Sequence, residues 1–223
     1  MSSINQLVSE IAHSVQQPDS VPVRRAIKLG IIHARNELIR QSYANNRYTD
    51  KVLKQSYKLT LKDVPEGDIY DSAGLGIKTI KRTINKVNRP TRLDNNLPFH
   101  SVRTIGVDRV IDIPFVSHAV SRFYKYLPGM TCGANYDYIN DYIYIYNIND
   151  NINAILVEGV FEYPHIIETE TSDNGVVNVP INDDDEFLLP EDMISGIKQL
   201  VLATFNPNVV RETNEIPNVN LVR

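Results

Sequence analysis

Residues 142–146 read Tyr-Ile-Tyr-Ile-Tyr, and this pentapeptide constrains the fold more than any other stretch of the chain. Side chains along a strand point alternately to opposite faces, so Tyr142, Tyr144 and Tyr146 share one face and Ile143 and Ile145 the other. A strand that is apolar on both faces needs cover on both, either mid-sheet or beneath a second layer. Six of the twelve tyrosines fall between residues 136 and 164. Beyond the turn formers Asn-Ile-Asn-Asp-Asn, the chain returns with Ile155, Val157 and Phe161 on one face and Ala154, Leu156 and Val160 on the other. This pattern predicts a Tyr-rich hairpin of 142–146 with 152–164, with residues 136–140 as a third strand or an extension. Tyrosine buries area while keeping a hydroxyl for hydrogen bonds, so the stripe fits a core or a subunit interface.

The two ends of the chain are helical in pattern. Ile4, Leu7, Val8, Ile11, Ala12 and Val15 form one helical stripe, with Ser3 as N-cap and Pro18 beyond the end. A second helix starts at Asp19 or Ser20 with Pro22 in its first turn and runs to about residue 43. Val23, Ile27, Ile31, Ala34 and Leu38 form its apolar side, and Arg24, Arg25, Lys28, Arg35 and Arg40 lie elsewhere. A short Pro-containing link predicts an antiparallel pair. A helical turn is expected near 50–54. Near the other end, Pro190, Glu191 and Asp192 open a helix whose stripe is Met193, Ile194, Ile197, Leu200, Val201 and Phe205.

Between the helices the period is that of strands. Tyr57, Leu59 and Leu61 alternate with Lys58, Thr60 and Lys62. Residues 77–85 and 103–114 are weaker strand candidates, 115–128 suit a short helix, and Asp173-Asn174-Gly175 marks a hairpin turn. Residues 206–223 carry two prolines and no period, which predicts an extended tail. The expected fold is α+β: an N-terminal helical hairpin, a mixed or antiparallel sheet with a Tyr-rich hairpin, a C-terminal helix and a tail. Its expected regions are 1–54 (helical), 55–205 (β-rich, closed by the C-terminal helix) and 206–223 (tail).

Composition excludes several classes. A chain of 223 residues that is 42% hydrophobic can bury a sizeable core without disulfides. One cysteine, Cys132, excludes an internal disulfide framework and a Cys-rich zinc site. No run of 18 apolar residues exists, so no membrane partner is expected. The net charge of −4 conceals an asymmetry: residues 1–125 hold 20 Lys/Arg and 11 Asp/Glu, and residues 126–223 hold 3 and 16. Three readings stay open. The halves fold beside each other, the basic half of one copy meets the acidic half of the next, or a basic surface lies near nucleic acid.

No catalytic constellation emerges. The sequence lacks a P-loop, GxGxxG, HExxH and a nucleophile elbow. In residues 72–78 (SAGLGIK) no Lys-Ser/Thr follows directly on the last glycine, as a phosphate loop requires, because Ile77 stands between Gly76 and Lys78. Residues 182–186 (NDDDE) lack the spacing and glycine of a calcium loop, and read as a solvated turn. His13, His33, His100, His118 and His165 are scattered. No enzyme activity and no cofactor are expected. Lys78, Lys81, Arg82, Lys86, Arg89 and Arg92 form a dense basic stretch without interleaved aromatics, which suits a charged loop or non-specific contact with double-stranded DNA in a lumen. Candidate subunit-interface residues are Tyr142, Tyr144, Tyr146, Arg24, Arg25, Asp183, Asp184 and Asp185.

The order of parts resembles the neck or ring proteins of crAss-like bacteriophages. The resemblance rests on INQLV in the first helix, NRPTRLDNNLPFHSVRTIG, RFYKYLPG, YIYIYN followed by NAILVEGVFEYP, and DDDEFLLPEDMISGIKQLVL, over roughly residues 2–205. It implies a virion structural protein of a podovirus-like phage, made in the host bacterial cytoplasm. In this family the subunits form a head–tail connector ring below the portal. By the symmetry of portals, twelve copies are expected. The implied partners are other copies of the chain, the portal protein and a neighbouring tail or ring protein. The alternative is another minor tail or capsid-auxiliary protein. The resemblance brings no catalytic residues.

Overall fold

The computed structural model describes residues 2–70, 80–91, 93, 97–105, 110–117, 120, 133–164, 171–172, 175–176 and 182–205. The chain divides into two compact units, a helical one of Met1–Leu53 with Asn182–Arg223 and a β unit of Lys54–Ile181. The architecture is α+β. The β unit is inserted in the sequence of the helical one, and the last helix belongs with the first two.

In the helical unit, α1 (Ile4–Ser14) begins with the expected cap, and Ser3 and Gln6 form a reciprocal capping box. Ile4, Leu7, Val8, Ile11 and Ala12 are buried, as the stripe predicts. Helix α2 (Val21–Asn46) runs three residues past its expected end and stops at Arg47, whose φ of 54° breaks the helical path. A 3₁₀ turn (Lys51–Leu53) follows. Helix α3 (Glu191–Phe205) buries Ile197 and Val201, while Leu200, expected in the stripe, is exposed. A Cβ added at Gly196 would stand 3.2 Å from Leu38 Cδ1, so the glycine permits the close approach of α3 to α2.

The buried side of α2 also includes Arg35 and Asn36. Arg35 is fully buried: Nε donates to the Leu188 carbonyl at 3.2 Å, Nη1 to Asn36 Oδ1 at 3.2 Å, and the guanidinium lies 5.9 Å from the Phe187 ring centroid. It stands four residues after Ile31 and eight after Ile27, on their face, so helical period overrode charge here.

The β unit is a six-stranded antiparallel sheet in the order β3–β6–β1–β2–β5–β4. Its strands are β1 (Gln55–Asp63), β2 (Ile80–Thr83), β3 (Ser101–Thr104), β4 (Asn135–Ile139), β5 (Tyr142–Tyr146) and β6 (Ala154–Gly159). A separate ribbon pairs β7 (Thr171–Ser172) with β8 (Gly175–Val176) around the expected turn. Strand β1 is shared, since residues Gln55 to Thr60 pair with β6 and Leu61 to Asp63 with β2. The sheet curls, and one segment touches both its edges. Ile113 N donates to Val102 O of β3 at 2.8 Å, and Tyr136 N of β4 donates to Pro114 O at 3.0 Å. The segment thereby covers both edges, which would otherwise offer unpaired backbone groups to other strands.

Two sequence expectations change here. Strands β5 and β6 do not form a hairpin, because β1 and β2 lie between them. The Tyr-rich hairpin is β4–β5, joined by Asn140 and Asp141 at φ of 53° and 67°. Two consecutive left-handed residues make the tight turn whose twist matches antiparallel strands, and Asn and Asp tolerate that conformation. Of the candidate at 103–114, only Arg103 and Thr104 belong to strand β3, and residues 111–116 form the closing segment. Most of the helix expected at 115–128, and all of the tail 206–223, lie outside the described residues.

The alternation of β5 is as the sequence reads. Ile143 and Ile145 enter the sheet's core with Tyr57, Leu59, Ile155, Val157 and Phe161. Tyr144 and Tyr146 point to the other face and form a second cluster with Tyr70 and Ile80. Each fully buried isoleucine contributes roughly 1.5–3 kcal/mol of transfer free energy.

Candidate functional site

The basic stretch is not one surface. Lys81 is buried, and its Nζ donates to Asp150 O at 2.6 Å, Ile152 O at 3.0 Å and Asn153 Oδ1 at 2.9 Å. The ammonium pins the loop between β5 and β6. Arg82 pairs with Asp68, and its guanidinium carbon lies 4.4 Å from the Tyr142 ring centroid. Arg89 is exposed and pairs with Asp141 at 3.2 Å, and Lys86 is exposed. The Arg89 bond holds the Asp141 carboxyl below its ordinary value, helped by a hydrogen bond from Tyr138. Lys78 and Arg92 lie outside the described residues.

The tyrosine stripe is largely spent within the chain. Tyr144 and Tyr146 are buried, and Tyr142 is half-buried. The ring of Tyr70 meets those of Tyr144 and Tyr146 edge-on, at centroid distances of 4.9 and 5.9 Å. The Tyr144 hydroxyl donates to Asp68 Oδ1 at 2.9 Å, beside Arg82. Burial, then the Asp68 hydrogen bond, pushes the Tyr144 phenol up to about 12, while Arg82 opposes the shift. Burial likewise raises Tyr136 and Tyr146. The sequence showed the stripe but not its cover, because Asp68 and Tyr70 sit in a loop with no strand period.

The acidic run is also used at home. Asp183 pairs with Lys28 at 2.5 Å, Asn5 Nδ2 donates to Asp184 Oδ1 at 2.6 Å, and Asp185 Oδ2 accepts from Asn182 N at 2.8 Å. Arg24 donates to Pro18 O at 3.2 Å and Ser9 Oγ at 3.0 Å, and Arg25 is exposed. Counted by unit rather than by half, charge nearly balances. The helical unit holds 10 Lys/Arg and 12 Asp/Glu, and the β unit 13 and 15. The asymmetry between halves is therefore repeated inside the β unit, where residues 54–125 hold 13 Lys/Arg and 7 Asp/Glu and residues 126–181 hold none and 8, while the acidic 182–192 stretch belongs with the N-terminal helices. The pair of Lys28 and Asp183, half-exposed, contributes little, about 0–1 kcal/mol.

Among the described residues, no group of three or more His, Cys, Asp and Glu side chains could hold a metal, and no helix is long and apolar enough to cross a membrane. A groove of about 560 Å³ runs along β3 and the closing segment, lined by Leu97, Phe99, His100, Arg103, Asp112, Phe115 and Tyr136.

No curated protein sequence matches the chain. A family model described as phage tail ring protein 2 matches residues 6–220. That match extends across both compact units, and it agrees with the resemblance at the level of a crAss-like phage ring protein. The chain belongs to the phage tail ring protein 2 family, a family of structural proteins of the phage virion.

Proposed function

We propose that the chain is a subunit of a head–tail connector ring in the neck, seated below the portal. There it acts as an adaptor between the portal protein and the next tail or ring component. Its action is geometric: identical contacts, repeated by symmetry, fix a ring whose lumen passes the double-stranded genome. The observation that carries the reading is the family match over residues 6–220, which makes the ring assignment a property of the whole fold. Twelve copies would match portal symmetry. For DNA passage, Lys86 and Arg89 are the exposed described members of the basic stretch, since Lys81 and Arg82 are engaged inside the β unit.

Gold-labelled antibody against this chain, imaged on intact virions, tests the position. Label at the junction of capsid and tail is the expected result. Label confined to the capsid surface or the distal tail would assign the chain to another virion component.

A further inference from the structure

The outward face of β3, β6 and β1 carries an apolar patch with a charged border. On these strands Val102, Thr104, Ile155, Val157, Tyr57 and Leu59 point inward and are buried. Their alternates face outward, and the register aligns them. Leu156 stands between Arg103 and Lys58. Ala154 pairs with Thr60, and Ile105 N donates to Ala154 O at 3.2 Å, which sets Ile105 beside it. The closing segment adds a further row. Arg103 bridges Asp112 and Thr104 N donates to Ile111 O at 3.0 Å, and this antiparallel register, continued by one residue, brings Val110 opposite Ile105. Val110, Ile105, Ala154 and Leu156 are therefore neighbours on one face. Val110 is 70% exposed and Ile105 38%. Around them lie the ion pair of Arg103 with Asp112 at 2.9 Å, Lys58, and Glu158, which is 3.9 Å from Lys54.

An apolar centre within a polar rim is the anatomy of a protein–protein interface. Exposed β-branched side chains in adjacent positions mark such faces more than isolated ones do. The rim carries both signs, so a DNA duplex would meet the carboxylates of Asp112 and Glu158 here, whereas a protein surface of mixed charge would not be disfavoured. The sheet's edges are covered by the closing segment, so the partner lands on the face and does not add a strand.

We propose that this face, centred on Val110, Ile105 and Leu156, is one side of the contact between neighbouring copies in the ring. The inference rests on the ring reading, which supplies the occupant: a closed ring of one chain needs a heterologous contact, in which this face meets a different surface of the next copy.

The test compares the assembly of the wild-type chain, Val110→Asp and Ile69→Asp by particle mass over a dilution series, alone and with the portal protein. Position 110 is open enough for an aspartate to leave the fold intact, which circular dichroism checks. Ile69 is 60% exposed in the same unit, in the loop whose Asp68 and Tyr70 meet Arg82 of β2 and Tyr144 and Tyr146 of β5, and controls for added charge. The expected result is a ring for wild type and Ile69→Asp, and for Val110→Asp a midpoint of assembly raised by about tenfold or more. Val110→Asp rings that assemble as wild type does would overturn the proposal and leave the ring reading intact. A wild-type chain that stays monomeric throughout would overturn the ring reading, and this contact with it. Disulfide-linked pairs formed through Val110→Cys on both copies would show a two-fold contact and also overturn it.

Discussion

Lys81 Nζ lies 2.6 Å from the carbonyl oxygen of Asp150, a residue 69 positions further along the chain. Two more oxygens, from Ile152 and Asn153, complete the set around the ammonium. A residue whose sequence context suggests a DNA-facing cation is thus a tether for the β5–β6 crossover. Lys81→Met keeps the stem and removes the charged donor. It should lower stability by about 1.5–3 kcal/mol, the range for hydrogen bonds made by a charged group. Urea unfolding of the two proteins measures this, and an unchanged midpoint would show that the tether carries no energy.

Arg35 holds the segment that returns the chain to the helical unit. Replacing it with alanine removes the bonds to Leu188 and Asn36 and leaves a space beside Phe187. The expected loss is about 3 kcal/mol, from unmet buried acceptors and lost packing. Arg35→Lys should recover only part of it, because a point charge cannot replace the planar fork. Thermal unfolding of the three proteins orders them, and equal stability of the lysine variant and wild type would contradict the geometry.

The buried tyrosines make the fold sensitive to alkali. Tyr144 titrates at about 12 in the folded chain and near 10 when unfolded, and Tyr136 and Tyr146 are raised in the same direction. Above the unfolded value the unfolded chain releases protons that the native chain keeps, so native stability falls as pH rises. The contribution is complete below pH of about 10 and is lost through about 12 for Tyr144. Tyrosinate absorbance followed with circular dichroism should show these phenols ionising together with unfolding. Ionisation of all twelve tyrosines near pH 10 in a still-folded chain would refute the burial.

The β4–β5 turn depends on two left-handed residues. Asn140→Ala keeps a Cβ at a φ of 53° but loses the side-chain amide that makes asparagine tolerant of this conformation, and should cost about 1 kcal/mol. Asn140→Gly should be neutral within a few tenths of that scale. Denaturant midpoints separate the two substitutions, and equal midpoints would mean that the turn carries no such strain.

Local pattern made much of this fold legible. The capping box at Ser3 and Gln6, the α1 stripe and the alternation in β5 are set by residues within one turn or one strand. Pairing was harder to read. Strand β5 finds β4 through a turn whose signal is the dipeptide Asn140-Asp141, without the glycine that marks most such turns. It finds β2 through partners more than sixty residues away, which no local period encodes. Arg35 was hidden by its charge although its spacing from Ile27 and Ile31 placed it inward. The candidate interface residues suit a contact between copies by type alone. Tyr144 and Asp183 have the type but are occupied inside the chain, whereas Val110 and Ile105 become neighbours only through the closing segment.

Particle mass in solution, for the pure chain alone and mixed with the portal protein of the same genome, tests the central claim most directly. A ring of twelve chains of 25.3 kDa would weigh about 300 kDa. The account predicts a species of ring size, or a portal that gains that mass. A chain that stays at 25.3 kDa and leaves the portal's mass unchanged would contradict it.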